Sequence, residues 1–538
     1  MKYDTIIIGG GHNGLVCAAY LARSGRSVLV LERRPIVGGA CVTEELWPGY
    51  KVSTAAYVIS LLLPEIEQEL ELKQYGYEVL ARTPSSFTPF DDGRSLILGA
   101  DDTSNYAEIL KFSAKDAEAW PRYESLLTNV AEKLEPILSS TPPDLLPLPK
   151  TWRRRSLRKK ISDGRKIVHL HKAIESLGNQ MPEAIELLTG AALPILDRWF
   201  ESDELKGTLA TDAIIGNFQS VSAPGTAYVL LHHVMGAAGG ARGVWGYVRG
   251  GMGRLSEALA SAGQSHGVEI HTGAPVSRIL VDSNHVRGVQ LEDGSKYEAA
   301  NVASGIDARH TFSRLLSGDV LPATFQAAVE RIDYSSASMK INLALNQLPD
   351  FTAMPGINEP GPQHRGTIHI NAHIQDLEQG CFEARQGYPS TRPIIEMTIP
   401  SAVDPSIAPP GHHVASLFVQ FAPYQLANGT WEDHRETFAD RCISEIMKYA
   451  PNFESAIEHR QILTPVDLEQ VYGLTGGNIF QGSMSLHQLF SMRPVPGWSD
   501  YRTPVEGLYL CGSATHPGGG VMGASGRNAA QAIIQDTK

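Results

Sequence analysis

The sequence predicts an α/β protein in which a parallel-sheet domain is assembled from three separated segments and carries a second, α+β domain. Three observations support this prediction: a strand–turn–helix–strand unit at the N-terminus, a return of strand and helix patterning near 249–307, and a strand–loop–helix unit at the end. The two long stretches between these segments supply the second domain. We expect the first domain to comprise 1–75, 245–310 and 496–538, and the second to comprise 76–244 and 311–495.

The N-terminal unit is a complete Rossmann-like βαβ pattern within about thirty residues. Lys2–Ile8 alternates and then becomes wholly apolar, as a buried strand does. A G-x-G-x-x-G cluster occupies 9–14, Leu15–Arg23 predicts a helix, and Ser27–Leu31 predicts a second strand. Because strand, glycine cluster, helix and second strand follow in order, the unit predicts a dinucleotide site.

Each glycine of this cluster has a physical reason. Gly9 permits the tight turn, Gly11 lets a pyrophosphate approach the backbone, and Gly14 allows close packing of helix and strand. Free N–H groups at the helix N-terminus favour the same pyrophosphate. Glu32 ends the second strand, where a carboxylate can accept the ribose hydroxyls. The pair at 38–39 lets a second stretch of backbone lie beside the cofactor.

The sheet pattern returns in the middle and at the end of the chain. The predicted helices are Leu255–Ala262 and Val521–Gln535, and the predicted strands are Val268–His271, Val276–Val281, Gly288–Leu291, Asn301–Ser304 and Gly507–Cys511.

The tail repeats the glycine spacing at Gly518, Gly520 and Gly523, but only one helix follows it. No second strand and no ribose-binding acid remain, so this is not a second dinucleotide fold. Its loop and helix N-terminus can instead reach the other side of the first cofactor. A cofactor that needs both ends of the chain is long, and FAD fits better than NAD.

Four stretches carry a family resemblance: the N-terminal glycine cluster, ERRPIVGG, VASGIDARHTF and LCGSATHPGGGVMGASGRNAA. Together they resemble the phytoene desaturase branch of the FAD-dependent amine oxidase/desaturase superfamily. The bacterial carotenoid ketolases of the desaturase type are similar over much of the same length. The resemblance implies FAD, a discontinuous Rossmann-like FAD-binding domain and a substrate domain.

The resemblance also implies which residues hold FAD. Gly9, Gly11, Gly14, Glu32, Arg33 and Gly39 would hold the ADP half, and Val276 would meet the adenine through its backbone. Gly512, Ser513 and the turn Gly520, Val521, Met522 and Gly523 would hold the ribityl chain and flavin. His12, Asn13, Gly38, Ala40 and Ser304 complete the expected cofactor site. Many relatives carry an acid where this chain has Ser513, whose hydroxyl replaces a hydrogen bond but not a charge.

The two intervening stretches predict the substrate domain. The first is mostly helical, and the second combines strands with a helix. The predicted helices are Asp116–Leu138, Lys166–Leu177, Pro182–Phe200, Asp203–Ala213 and Glu432–Tyr449, and the predicted strands are Ser335–Ala344, Gly366–Ala372, Ile394–Thr398 and Val414–Phe421. We expect the active site where this domain meets the flavin, since such sites favour domain interfaces.

Flavin chemistry demands few side chains, because the cofactor performs the redox step and the protein supplies position and electrostatics. Two histidines are candidate catalytic residues. His516 lies in the tail loop, where it would orient substrate or merely hold the loop. His233 belongs to an adjacent pair with His232, of which at most one is expected to face a cavity. His369 and His373 share one face of a predicted strand without a third ligand, so we predict no metal site.

Bulk composition excludes several function classes. The chain has 538 residues and a net charge of −12, which disfavours nucleic acid as a partner. No apolar run approaches the roughly 18–20 residues that span a bilayer, and no signal peptide is recognisable, so we expect a cytoplasmic protein. None of the 5 cysteines forms a C-x-x-C pair, which argues against disulfide reduction.

A basic segment at 141–172 stands out in this acidic chain. One interpretation is a peripheral membrane contact, with basic residues on headgroups and an apolar edge in the interface. The alternative is a solvated helical face or loop.

We therefore predict an FAD-dependent oxidoreductase that transfers hydride from an apolar, isoprenoid-like or carotenoid-like substrate to flavin N5. Alternatives are ketolase-type oxygen insertion, amine oxidation, and a flavoprotein that acts mainly through a protein partner.

Overall fold

The computed structural model describes residues 2–145, 157–238, 241–317 and 320–538. Its strands are β1 Lys2–Ile8, β2 Val28–Leu31, β3 Glu44–Trp47, β4 Tyr50–Val52, β5 Val79–Ala81, β6 Ser86–Pro89, β7 Ser95–Leu98, β8 Ala237–Ala238, β9 Ala241–Arg242, β10 Gly246–Val248, β11 Glu269–His271, β12 Val276–Asp282, β13 His285–Leu291, β14 Lys296–Ser304, β15 Ser338–Leu345, β16 Thr367–Ile370, β17 Ile394–Thr398, β18 His413–Gln420, β19 Ile457–Leu463 and β20 Leu508–Leu510.

Helices alternate with these strands along the chain. They are α1 His12–Arg23, α2 Pro64–Glu69, α3 Asp102–Leu110, α4 Ala114–Leu138, α5 Leu157–Glu175, α6 Met181–Thr189, α7 Ala192–Trp199, α8 Asp203–Asp212, α9 Thr226–Val234, α10 Gly253–Ser265, α11 Ala308–Ser313, α12 Ala323–Glu330, α13 Pro362–Arg365, α14 Ile374–Arg385, α15 Trp431–Met447, α16 Phe453–Ala456, α17 Pro465–Tyr472 and α18 Ala524–Asp536.

The first sheet draws its strands from the beginning, middle and end of the chain. Strands β11, β2, β1 and β14 lie side by side and parallel, and β20 pairs in parallel with the end of β14. The antiparallel hairpin β12–β13 joins the start of β14. β14 covers 296–304, whereas only 301–304 was predicted, because its first half alternates and is solvated on one face.

The second sheet has the order β19-β15-β18-β17-β16-β6-β7. Its first five strands are antiparallel and come from 338–463, and four of them were predicted. β6 and β7 come from the largely helical 76–244 stretch and were not predicted. Each has only four residues, and β6 pairs in parallel with β16. Such short strands form only because a distant partner supplies their hydrogen bonds.

The helices of 76–244 pack together and against the second domain's sheet. The long helix α4 begins at Ser113, whose side chain accepts a hydrogen bond from the Asp116 N–H. Sequence predicted one helix over 182–200, but the structure divides it into α6 and α7 at Gly190. The Gly190 carbonyl accepts hydrogen bonds from the N–H groups of Gly225 and Ala227 instead of from a following residue of the helix.

The two ends of the chain meet through α1 and α18. A Cβ on Gly526 of α18 would lie 2.1 Å from the Asn13 carbonyl oxygen, so only glycine permits this approach. α18 begins at Ala524, three residues later than predicted, because Gly520 and Gly523 adopt positive φ. Within the described residues, no helix combines the length and apolarity that crossing a bilayer requires.

Candidate active site

One cavity of ≈ 920 Å³ runs from the N-terminal glycine loop into a chamber beside the second sheet. Its outer part is lined by the ends of β1 and β2 and by the loops before α1 and β12. Its inner part is lined by residues of β15–β18, α4, α8 and α9. Both domains therefore contribute walls to one continuous space.

The glycine loop forms a cradle at the outer part of the cavity. A Cβ on Gly14 would lie 2.3 Å from the Gly9 carbonyl oxygen, so the packing of the loop itself requires glycine there. Gly11 differs: its φ is −66°, and a Cβ would meet only the Gly38 oxygen at 3.9 Å. No contact among the described residues requires glycine at 11, whereas a pyrophosphate lying against the N-terminus of α1 would.

Glu32 lines the cavity at the end of β2, where a ribose is expected. Its carboxylate accepts hydrogen bonds from the N–H groups of Gly10 (2.7 Å) and Arg34 (2.8 Å), which fix its orientation. Both oxygens keep further lone pairs for ribose hydroxyls. The glycine cradle and this acid fit the ADP half of FAD.

The remaining predicted residues of this half also line the cavity: Gly38, Gly39, Ala40, Arg33 and Val276. The Arg33 guanidinium donates to the carbonyls of Gln470 and Val471, so it ties α17 to the mouth of the cavity.

His12 and Asn13 join the glycine loop to the tail. The Asn13 amide donates to Ser513 Oγ (3.0 Å), and its oxygen accepts from the Gly526 N–H (3.3 Å). Burial lowers the pKa of His12 to about 4, against the opposing effect of a hydrogen bond to the Gly520 backbone. His12, Asn13, Ser513, Gly520 and Val521 all line the cavity.

Four predicted cofactor residues lie outside the cavity wall: Ser304, Gly512, Met522 and Gly523. The Ser304 hydroxyl pairs with that of Thr311 (2.7 Å), while its neighbour Gly305 reaches the cavity. A Cβ on Gly512 would lie 2.2 Å from the Gly305 oxygen, so this glycine serves backbone packing. Met522 is buried in the apolar core, and Gly523 caps α18 with a φ of +73°.

His516 is buried within the tail loop. Its imidazole is buried 5.3 Å from the Phe490 ring and does not line the cavity, and its carbonyl accepts from the Tyr501 hydroxyl. Burial lowers its pKa to about 3. Of the two roles that the sequence left open for His516, burial outside the cavity wall favours a structural role in the tail loop over contact with substrate.

Both members of the histidine pair line the cavity, although at most one was expected to. Their rings are nearly perpendicular, at 86°, and the cavity wraps around the end of α9. His232 lies by the tail loop, with Nε2 3.5 Å from a Cβ built on Gly520. His233 bonds through Nδ1 to the Val229 carbonyl (2.8 Å) and stacks near Trp245.

A row of side chains crosses the second sheet and forms the floor of the inner chamber. Lys340 pairs in register with Phe418, Phe418 with Glu396, and Glu396 with His369. All four therefore lie on one face of neighbouring strands, and all four line the cavity.

Tyr57 lies over this row. The Nζ atom of Lys340 is 3.3 Å from the Tyr57 ring centroid, and the Tyr57 hydroxyl donates to Glu396 Oε2 (3.4 Å). His369 Nδ1 lies 3.9 Å from Glu396 Oε1 and 3.2 Å from Thr211 Oγ1.

Burial shifts the protonation of this cluster towards neutral forms. Desolvation raises the pKa of Glu396 to about 8 and raises that of Asp212, the last residue of α8. It lowers the pKa of Lys340 well below its usual value and that of His369 to about 3. A neutral amine and a protonated acid can thus coexist in the chamber, the first able to accept a proton and the second able to donate one.

Two other chemistries find no support in the described part of the chain. No group of three His, Cys, Asp or Glu side chains there is arranged to hold a metal. Cys17 and Cys511 do meet in the core. The hydrogen bond with Cys511 and, after it, burial raise the pKa of Cys17 well above its usual value, and neither cysteine lines the cavity.

Sequence reasoning missed the chamber floor, although a signal existed. SMKINLAL, TIHI and IIEMT are wholly or largely buried strands that each contain a lone Lys, His or Glu. An ionisable residue is rarely buried in a strand without a partner or a function. No comparable signal in the sequence marked Arg82, Asp212 and Tyr57, because none of them is an ionisable residue within a buried strand.

Comparison with known proteins gives consistent results. The family model described as flavin containing amine oxidoreductase matches residues 14–534. Pyridine nucleotide-disulfide oxidoreductase domain-containing protein 2 of Rattus norvegicus is 47% identical over 552 residues, covering 100% of this chain and 94% of the rat protein. A limonene dehydrogenase subunit of Castellaniella defragrans is 27% identical over 556 residues, covering 99% and 94%. The fold resembles putrescine oxidase with a TM-score of 0.61 at 15% identity, covering 100% of this chain and 99% of that one.

Proposed function

Because this chain belongs to the flavin containing amine oxidoreductase family and is an FAD-dependent oxidoreductase, we propose that it oxidises a largely apolar substrate in the inner chamber. FAD occupies the outer part of the cavity in this proposal, with its ADP half on the glycine cradle and Glu32. The observation that supports it most strongly is the continuity of one cavity from that cradle to the floor formed by Lys340, Glu396 and His369.

The upper chamber wall suits an apolar substrate body. It is formed by aromatic and aliphatic side chains of three helices, α4, α8 and α9, and it adjoins Met339 and Phe418 of the second sheet. The helical side chains are Trp120, Tyr123, Leu127, Leu209 and Leu230. The relative named as a limonene dehydrogenase subunit supports the same substrate class by its name. Burying such a substrate also excludes water from the redox step.

Bound FAD supplies the oxidising chemistry by accepting a hydride from a substrate carbon. The chain's own residues handle the accompanying proton. Lys340 Nζ is buried with no hydrogen-bond acceptor among the described residues, so as a neutral amine it can accept a proton. Tyr57 separates it from Glu396, whose protonated carboxyl can donate one.

Amine oxidation is the second candidate, because the carboxyl groups that line the chamber include those of Asp212 and Glu396 beside its floor. An ammonium would bind there only if at least one carboxyl ionises. Burial raises the pKa of both carboxyl groups. Amine oxidation therefore requires that the positive charge of the bound substrate lower one of these pKa values again.

Anaerobic titration of the flavin-loaded protein tests the proposal. We expect a monoterpene or longer isoprenoid to bleach the flavin absorbance, and an alkylamine of similar size to bleach it more slowly. Faster reduction by the amine would favour the second candidate. Incorporation of labelled oxygen into the product would instead indicate ketolase-type chemistry. A flavin that no lipid or amine reduces, in a preparation that retains a protein partner, would contradict an enzymatic role.

We also propose that α5 contacts an anionic membrane surface, from which an apolar substrate could enter. Part of the basic segment, 146–156, lies outside the described residues. In α5, Ile161 and Val168 are about half exposed (51% and 55%) beside exposed Lys160, Arg165 and Lys172. We expect the protein to co-sediment with phosphatidylserine vesicles but not with phosphatidylcholine vesicles. Ile161→Ser with Val168→Ser should abolish this, and Ile357→Ser at another exposed site should not.

A further inference from the structure

Arg82 differs from the other strongly buried arginine of the described chain. Arg493 is 1% exposed, and its guanidinium donates to carbonyl oxygens of Phe480, Gly482 and Ser513, among others, away from the cavity. Arg82 is 5% exposed and lines the cavity. Burying a guanidinium is costly unless something compensates its charge.

The protein compensates Arg82 only in part. It follows β5, and its Nε donates to the Trp245 carbonyl (3.1 Å) and its Nη1 to Thr367 Oγ1 (2.6 Å). Both acceptors are neutral, and the Tyr247 ring lies 5.6 Å away. In the described ranges no carboxylate oxygen lies within ion-pair distance of this guanidinium.

The carboxyl groups nearby do not provide a permanent counter-charge. Arg82 lowers the pKa of Asp212 and of Glu396 by its charge, yet burial is the larger effect and leaves both pKa values raised. Lys340 and His369 are shifted towards their neutral forms as well. The Arg82 guanidinium therefore faces the chamber with neutral oxygen atoms as its hydrogen-bond acceptors among the described residues.

We propose that the substrate carries a carboxylate, which Arg82 binds at the edge of the chamber floor while the apolar body occupies the aromatic wall. This inference deepens the proposed function and rests on the same chamber. The fork of an arginine matches a carboxylate geometrically, and its orientation is fixed in advance by Thr367 and Trp245. Glu396, whose pKa burial raises to about 8, would donate a hydrogen bond to such a group near pH 7 rather than repel it.

Equilibrium dialysis of the FAD-loaded protein near pH 7 tests this without requiring turnover. The probes are labelled decanoate, decanol and decylamine, which share one alkyl chain and differ in charge. We expect decanoate to bind at least about tenfold more tightly than decanol, and Arg82→Gln to lower decanoate affinity about 10- to 100-fold while decanol binding stays unchanged. Arg82→Lys should restore only part of the loss, because it keeps the charge without the fork.

Matched variants separate this interaction from general damage. Arg249→Gln removes an exposed arginine paired with Glu78 and should leave decanoate binding unchanged. If Arg82→Gln loses FAD or its fold, Thr367→Val provides a second test, because it removes one of the two hydrogen bonds that orient Arg82 and should still weaken decanoate binding.

Three results would overturn the inference: equal affinity for decanoate and decanol, an undiminished decanoate preference in Arg82→Gln or Thr367→Val, or tightest binding of decylamine. These results are independent of the proposed oxidation. A protein that binds decanoate through Arg82 but whose flavin no substrate reduces would support the carboxylate site and contradict the enzymatic proposal.

Discussion

Two glycines of the N-terminal loop face different constraints, and exchanging each for alanine separates cofactor binding from folding. Gly11→Ala adds a Cβ that the protein tolerates but that occupies the space of the pyrophosphate. We expect FAD affinity to fall at least about tenfold with an unchanged melting temperature of the apoprotein. Gly14→Ala forces a Cβ to 2.3 Å from the Gly9 oxygen and should lower that melting temperature. Flavin fluorescence titration and thermal unfolding measure both, and equal FAD affinity in Gly11→Ala would contradict the assignment.

Glu396 makes stability depend on pH. Burial raises its pKa from 4.5 to about 8, amid Asp212, Arg82, Tyr57 and Lys340. The folded state then holds a proton that the unfolded chain releases, so the stability from this group is full below about pH 4.5 and is lost as pH rises towards 8. Glutamine does not titrate, so the Glu396→Gln variant does not lose this stability as pH rises.

We therefore expect the melting temperature of the FAD-loaded Glu396→Gln variant to rise relative to that of wild type by about 2–4 °C between pH 5 and pH 8. Glu359→Gln, at an exposed acid, is the control and should show no such change. A parallel pH profile for Glu396→Gln and wild type would show that Glu396 is ionised in the folded protein.

At the scale of elements, the contact between α1 and α18 brings the tail to the glycine loop. Gly526→Ala would place a Cβ 2.1 Å from the Asn13 oxygen, and we expect a loss of about 1–3 kcal/mol with weaker FAD binding. Gly164→Ala in α5 meets open space and should stabilise the protein by about 0.5–1 kcal/mol. Exchanging glycine for alanine is therefore expected to destabilise the protein in α18 and to stabilise it in α5. Thermal unfolding of both variants measures this, and a stabilised Gly526→Ala would show that the helices are not in close contact.

At the scale of the whole molecule, one cofactor joins segments that lie about five hundred residues apart. FAD at a hundred times its Kd should stabilise the folded chain by about 2.7 kcal/mol. Hydrogen exchange can show which segments of the chain FAD stabilises. We expect amides of 9–14 and of 512–523 to become protected together on FAD loading, whereas exposed 356–359 should not change. Protection of the first segment alone would exclude the tail from the cofactor site.

Local patterning was sufficient for much of the fold. The βαβ unit, the closing strand and helix, and four strands of the second sheet carry periodicities that neighbouring residues define by themselves. The family resemblance and FAD are confirmed by the comparisons. Gly190 shows the limit of such patterning. Its carbonyl accepts hydrogen bonds from the N–H groups of Gly225 and Ala227, which are too distant in sequence for a local pattern to reveal.

The sequence by itself determined a flavin cradle, since glycine spacing, helix and terminal acid lie within one short stretch. Only the tertiary structure decided the chemistry of the chamber. Asp212, Lys340, His369 and Glu396 come from four elements, and Arg82 comes from the loop after β5. They meet through sheet register and helix packing, and the same packing leaves His516 outside the cavity wall. The physical reason is that burial and neighbouring charges, which set protonation, arise from contacts between residues distant in sequence.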